Sequence, residues 1–242
     1  MPYPYFYGFD WTYLALVIPS MILALWASAS VNRTFQKYAK KSSIRGITGA
    51  QAAQYVLTGN GVSGVTIERV QGNLTDHYDP RTNVIRLSSN VYNSTSIAAI
   101  GVACHEAGHA VQHAKNYAPI RIRTAIIPIT NFGSKLAMPL ILLGVLISSV
   151  ADYSYTLVYA GILCFSLSLV FQLVTLPVEF NASRRAIAAI SDQSLLNDEE
   201  IKGAKKTLTA AALTYVAAVA VSLAQLLRLI LLFGGGGRRR ND

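Results

Sequence analysis

Charge is what this chain has least of. Asp, Glu, Lys and Arg make up 14% of its 242 residues, against about 25% in ordinary soluble domains, so a water-exposed globular surface is hard to build from it. Cysteine is almost missing. Cys104 and Cys164 stand far apart, which excludes a disulfide framework. Basic residues are absent from Met1 to Ser30, and no basic segment interleaved with aromatics occurs anywhere. The net charge of +9 therefore does not point to nucleic acid.

In place of charge there are long apolar runs. Trp11–Ser30 is uncharged over 20 residues, Tyr153–Val178 over 26 and Thr207–Leu227 over 21, and about 20 apolar residues suffice to span a bilayer. Leu136–Ala151 has only 16 but extends back through Lys135, whose ammonium can snorkel to the interface. The first run follows an aromatic leader, Met1–Tyr7, with no positive stretch before it, and reads as a permanent anchor rather than a cleaved leader. Residues 32–132 hold eleven Lys/Arg and residues 175–207 hold five. The positive-inside rule then places the N-terminus outside and both basic regions in the cytoplasm. Arg228 inside the last run, and Arg238, Arg239 and Arg240 beyond Gly234–Gly237, fit that topology less well. Either the tail is tolerated outside, or the last segment lies along the membrane, with the tail on anionic lipid.

The chemistry is concentrated in His105-Glu106-Ala107-Gly108-His109. On a helix, positions four apart share a face, so both imidazoles can meet one metal ion, and Glu106 emerges beside them within reach of an activated water. The motif lies in a helix-compatible run, Ser96–Lys115, with Ser94 or Ser96 as its cap. Cys104 precedes His105, but adjacent helix positions diverge by about 100°, and it reads as a packing residue. Upstream, Thr48 caps a helix to Thr58, ended by Gly59, Gly61 and Gly64. Residues 65–88 read as short strands with a hairpin at 79–83. A strand just before the metal helix can pair with an extended substrate.

A catalytic zinc takes three protein ligands and keeps a position open. His113 is one candidate for the third, although eight residues on from His105 it drifts by about 80°. Glu179 is the other and is better placed. It follows Pro177, which can break the third run and start a new helix, at the same membrane face as the histidines. Arg184 and Arg185 beyond it mark the cytoplasmic side or hold a substrate carboxylate.

The His-Glu-Ala-Gly-His-Ala segment resembles the YugP-type zinc-dependent neutral membrane peptidases. So do Asp76-His77-Tyr78-Asp79-Pro80, Val84–Ser88, Tyr117-Ala118-Pro119 and Leu176-Pro177-Val178-Glu179-Phe180 with Ala182-Ser183. The likeness runs from about Asn32 to Ala189. More distantly, the chain is similar to the HtpX and CAAX-prenyl membrane proteases. The resemblance implies His105, His109 and Glu179 as zinc ligands in a gluzincin-like set, and Glu106 as general base. Two positions depart from the related patterns. Ser183 stands where HtpX-like chains carry an Asp that buttresses a ligand histidine, and Asn181 stands where the YugP-like pattern usually has Asp. Asp76 or Asp79 could substitute. Ser183 is thus a candidate support of a ligand, and His77, Tyr78 and Tyr92 are candidate oxyanion donors.

The expected fold is a mainly α integral membrane protein, with about four transmembrane helices and a cytoplasmic zincin-like α+β metallopeptidase domain. The expected segments are an anchor at 1–31, a catalytic region at 32–132 and a transmembrane hairpin at 133–178. A third-ligand region at 179–206, a fourth span at 207–233 and a basic tail at 234–242 follow. The expected cofactor is Zn2+. The expected partners are protein or peptide substrates and the lipid bilayer, with room for a membrane-protein partner or homo-oligomer and none for nucleic acid. The competing expectation is a non-catalytic metal-binding membrane scaffold or chaperone.

Overall fold

The computed structural model describes residues 10–73, 75–148 and 154–234. The aromatic leader Met1–Tyr7, Tyr153 at the start of the third apolar run and the arginine tail lie outside the described residues. A π-helical turn, Tyr13–Val17, leads into α1 (Ile18–Ala39); α2 (Gly49–Gly59), β1 (Thr66–Val70), β2 (His77–Asp79) and β3 (Val84–Ser88) follow. Then come α3 (Ser89–Tyr92), α4 (Ile97–Ala114), α5 (Ala118–Leu146), α6 (Ser154–Asp192) and α7 (Asp198–Phe233). Four of these helical stretches are long and apolar enough to cross a membrane: Tyr13–Ala39, α5, α6 and α7. The protein is a mainly α membrane protein with a small sheet, as its composition requires.

The described residues pack as two units. The first is drawn from Met1–Trp26, Ile122–Val174 and Tyr215–Asp242. Its helices meet through small residues. A Cβ on Gly161 would fall 2.8 Å from the Ala137 carbonyl oxygen, and one on Gly144 would fall 2.7 Å from that of Ser154, so α5 and α6 approach backbone to backbone. Arg228, the charge that sat badly in the last apolar run, pairs with Asp10 at 2.6 Å and lies 5.2 Å from the Tyr13 ring centroid. Large apolar side chains such as Ile22, Leu25, Phe132, Leu146 and Leu163 are exposed, which suits contact with lipid.

The second unit, Ala27–Arg121 with Thr175–Thr214, holds the motif helix and the sheet. Thr48 caps α2 in a full capping box, its hydroxyl accepting from the Gln51 N–H while the Gln51 side chain accepts from Thr48 N–H. Ser96 caps α4 by accepting from Ala99 N–H at 3.2 Å. Leu57, Ile85, Leu87, Val91, Ile100 and Val111 form the centre of its core, which Ala186, Ile190, Leu195 and Ala204 complete.

Two expectations change. The sheet has three strands in the order β1-β3-β2, with β1 parallel and β2 antiparallel to β3. The strand just before the metal helix is therefore central and paired on both sides, and the edges are β1 and β2. Pro177 does not end the third apolar run. It has no N–H to give the Leu173 carbonyl, yet α6 runs through it as one helix of 39 residues in all, because in apolar surroundings the remaining ladder has no water to compete with it. Beyond the motif helix the chain is helical again from Ala118 onward.

Replacing Thr48 with Ala removes one half of the α2 capping box. It is expected to cost about 1 kcal/mol, seen as a fall of about 2–4 °C in the unfolding midpoint of the detergent-purified protein.

Candidate metal centre

The site is built where α4 and α6 come within backbone distance of each other. A Cβ on Gly108 would lie 2.8 Å from the carbonyl oxygen of Ala182, closer than any ordinary contact. The absent side chain lets α6 pass directly over the motif. His109 follows Gly108 directly and His105 lies one turn before it on α4, and around Ala182 on α6 are Glu179 and Ser183. Helical spacing on both helices then turns these side chains toward one point.

The ligand-type atoms converge. His105 Nε2 lies 3.3 Å and His109 Nε2 3.5 Å from the same oxygen, Glu179 Oε2. All three ligand atoms fall within 4.8 Å of one another, and the two imidazoles meet edge to face with centroids 4.7 Å apart. His109 and Glu179 are buried. Two imidazole nitrogens and one carboxylate oxygen are a donor set that suits zinc, and His105, His109 and Glu179 are positioned to bind a metal ion.

Each imidazole is held by its other nitrogen. Ser183 Oγ is 3.1 Å from His105 Nδ1. Gln112 Oε1 is 3.0 Å from His109 Nδ1. An Nδ1–H donated to these oxygens leaves Nε2 with the lone pair that faces Glu179. Gln112 is fully buried and is itself anchored. Its amide donates to the Val178 carbonyl at 2.8 Å and to Asn181 Oδ1 at 3.0 Å, and Asn181 Oδ1 also accepts from Arg185 Nε at 2.8 Å. This chain of contacts ties α4 to the turn of α6 that carries Glu179.

Gln112 was not singled out from the sequence. The available signal was a polar residue one turn beyond His109 on the buried side of the motif helix. The residues proposed as carboxylate substitutes do other work. Asp76 accepts from the backbone and hydroxyl of Ser88 at 2.7 and 3.1 Å, and Asp79 accepts from Arg86 at 3.2 Å and holds the Arg81–Thr82 turn.

Glu106 is buried on the same helix and acts electrostatically on both His109 and Asp76. Burial disfavours the charged form of His109, but the carboxylates of Glu179 and Glu106 outweigh it and raise the imidazole above its ordinary value. Burial likewise raises the Asp76 carboxyl, with Glu106 adding to the shift. Cys104 is completely buried in the core and burial pushes its thiol up, so it serves as packing. His113 stands outside the trio and packs instead on Tyr78, ring centroids 5.5 Å apart. Tyr78 is half-buried on β2 and donates its hydroxyl to Asn83 at 2.6 Å. His77 is exposed, with Nδ1 2.8 Å from the Thr75 carbonyl, and Tyr92 packs against the core. Of the arginine pair, Arg184 is exposed and Arg185 turns inward to Asn181.

Gln112→Leu keeps the approximate shape of the side chain and removes both amide functions. It is expected to weaken zinc binding roughly tenfold to a hundredfold, measured by competition with a chelating dye, while the fold remains intact by circular dichroism.

Comparison with known proteins points to the same metal. Residues 13–234 match the family described as "Putative neutral zinc metallopeptidase". The chain is also 46% identical over 221 residues to the "Putative membrane protease YugP" of Bacillus subtilis (strain 168), a match that covers 91% of this chain and 96% of that protein. No solved structure matches it. With the match running through the metal trio and nearly the whole of the helical framework, the chain belongs to the neutral zinc metallopeptidase family.

Proposed function

We propose that this protein is a membrane-embedded zinc endopeptidase of gluzincin type, with His105, His109 and Glu179 as ligands and Glu106 as general base. The observation that carries the reading is the convergence of two Nε2 atoms on Glu179 Oε2, at 3.3 and 3.5 Å, beside a buried fourth side chain that is a carboxylate. A structural zinc site is closed by four ligands and needs no adjacent base. Three ligands and a base fit hydrolysis.

When bound, zinc supplies the Lewis acidity that acidifies a water and polarises a peptide carbonyl. The protein's own groups do the rest. Glu106 accepts the water's proton and hands it to the leaving amine. Ser183 and Gln112 fix both imidazoles so that no reorientation is needed during turnover. A second donor for the oxyanion is drawn from His77, Tyr78 and Tyr92. Tyr78 is the best supported, because it packs on α4 through His113; its hydroxyl, which donates to Asn83 at 2.6 Å, would exchange that acceptor for the oxyanion.

The distribution of Lys and Arg supports an outside N-terminus and a cytoplasmic active site. Substrates are then cytoplasmic or membrane proteins. A second reading, a metal-stabilised scaffold without catalysis, draws on the neutral supports Ser183 and Gln112 in place of carboxylates.

Two variants separate these readings. Glu179→Ala is expected to lose nearly all zinc by elemental mass spectrometry, against one zinc per wild-type chain; full occupancy in the variant would move the third ligand elsewhere. Glu106→Gln is expected to keep its zinc and lose peptide cleavage by about a thousandfold or more. Undiminished turnover by the purified Glu106→Gln variant would remove Glu106 from the mechanism, and zinc without turnover in the wild type would favour the scaffold.

A further inference from the structure

A second pocket lies in the same unit and has no part in the metal chemistry. It has a volume of about 500 Å³ and is lined by Ser30, Thr34, Lys37 and Tyr38 of α1 and by Lys202, Lys205, Lys206, Thr209, Ala210 and Leu213 of α7. Helical periodicity explains its two walls. Positions 30, 34, 37 and 38 share one side of α1, and positions 202, 205, 206, 209, 210 and 213 share one side of α7. The helices touch at the lip: a Cβ on Gly203 would fall 2.7 Å from the Tyr38 ring. The start of α7 is fixed by a reciprocal cap, Asn197 Oδ1 accepting from Glu200 N–H and Glu200 Oε2 from Asn197 N–H, both at 2.9 Å. The other Glu200 oxygen accepts from Ile44 N–H at 2.7 Å, which ties that start to the chain beyond α1.

The chemistry of the lining is graded. Four ammonium groups and the hydroxyls of Ser30, Thr34, Tyr38 and Thr209 supply donors, and Ala210 and Leu213 supply an apolar surface. Glu199, in the first turn of α7, pairs with Lys202 at 2.6 Å, leaving Lys37, Lys205 and Lys206 as the excess charge. The pocket also sits where two uncharged runs stop: Trp11–Ser30 gives way to the basic segment with Lys37, and Thr207–Leu227 begins directly after Lys206. A free phosphate would use the cations and leave the apolar lining wet. An anionic lipid uses both, with its phosphate among the ammonium groups and the start of its acyl chains on Ala210 and Leu213. A volume of this order matches a headgroup.

We propose that this pocket binds the phosphate headgroup of an anionic glycerophospholipid at the membrane surface. The bound lipid bridges α1 and α7, and α7 in turn packs against the motif helix, where a Cβ on Gly101 would meet that of Ala204 at 3.5 Å. The inference needs the membrane setting and not the peptidase reading, so it can fail or hold independently of Glu106.

The test is thermal unfolding of the full chain in detergent, titrated with dioctanoyl phosphatidylglycerol, dioctanoyl phosphatidylcholine or inorganic phosphate. Wild type is expected to show a saturable rise with phosphatidylglycerol alone. Lys205→Ala with Lys206→Ala is expected to raise the half-saturating concentration roughly tenfold or more, while the charge-matched pair Lys40→Ala with Arg81→Ala, outside the pocket, leaves it within about twofold. An equal rise from phosphatidylcholine or from phosphate alone overturns the proposal, and so does an equal loss in both double variants, which would mean diffuse attraction. Should the lysine pair fail to fold, native mass spectrometry of the wild type decides: one phosphatidylglycerol retained in preference to phosphatidylcholine supports the site, and no such 1:1 adduct overturns it.

Discussion

The contact of Gly108 with the Ala182 carbonyl is the constraint on which the site depends. Two helices separated by ordinary side chains sit about 8–10 Å apart, and a glycine at the crossing lets them come closer than that. Here the motif helix carries no side chain at the crossing, so α6 comes close enough for Glu179 to touch both histidines. The alanines at 103, 107 and 110 on α4 and at 182, 186 and 189 on α6 are all buried. Those on α6 share the face that carries Glu179, while Ala103 on α4 meets α2, where a Cβ on Gly49 would fall 3.3 Å from its own. A cluster of this kind brings a carboxylate out of water, and a divalent cation restores what burial removes.

The supports of the ligands are neutral. In many zinc sites a carboxylate accepts the second imidazole N–H; here a hydroxyl and an amide do so. The amide has an advantage that a carboxylate lacks, because it also donates. Gln112 uses its N–H groups to hold the Val178 carbonyl and Asn181, so one side chain orients His109 and anchors the turn that presents Glu179. Asn181 fits this network as it stands, since its single oxygen accepts from both Gln112 and Arg185.

The sequence made some of this plain and hid the rest for physical reasons. His105 and His109 announce themselves because a four-residue spacing has one geometric meaning on a helix, and the caps Thr48 and Ser96 are local contacts between residues three apart. The apolar spans follow from length alone. What is non-local stayed out of sight. The parallel pairing of β1 with β3 joins residues 18 positions apart, as Thr66 with Val84, and no turn signal encodes it. Gln112 gains its meaning only when Val178 and Asn181 are beside it. Pro177 misleads because the rule against proline in helices is calibrated in water, where freed backbone groups find other partners. Arg228 looked misplaced until Asp10, 218 positions away, proved to be its counter-ion.

The order of the sheet also limits how this protein can hold an extended peptide. The strand nearest the motif helix in sequence is already paired on both sides, and the edge strand β2, which packs on α4, has three residues. A strand of that length offers an incoming chain only a hydrogen bond or two, so main-chain pairing contributes little affinity. On a shared bilayer that weakness matters less. Two molecules confined to one surface meet at an effective concentration far above their bulk value, and the same spans that carry the ligand helix supply that confinement. For a peptide confined to the same bilayer, residence time would be set by the membrane rather than by so short an edge.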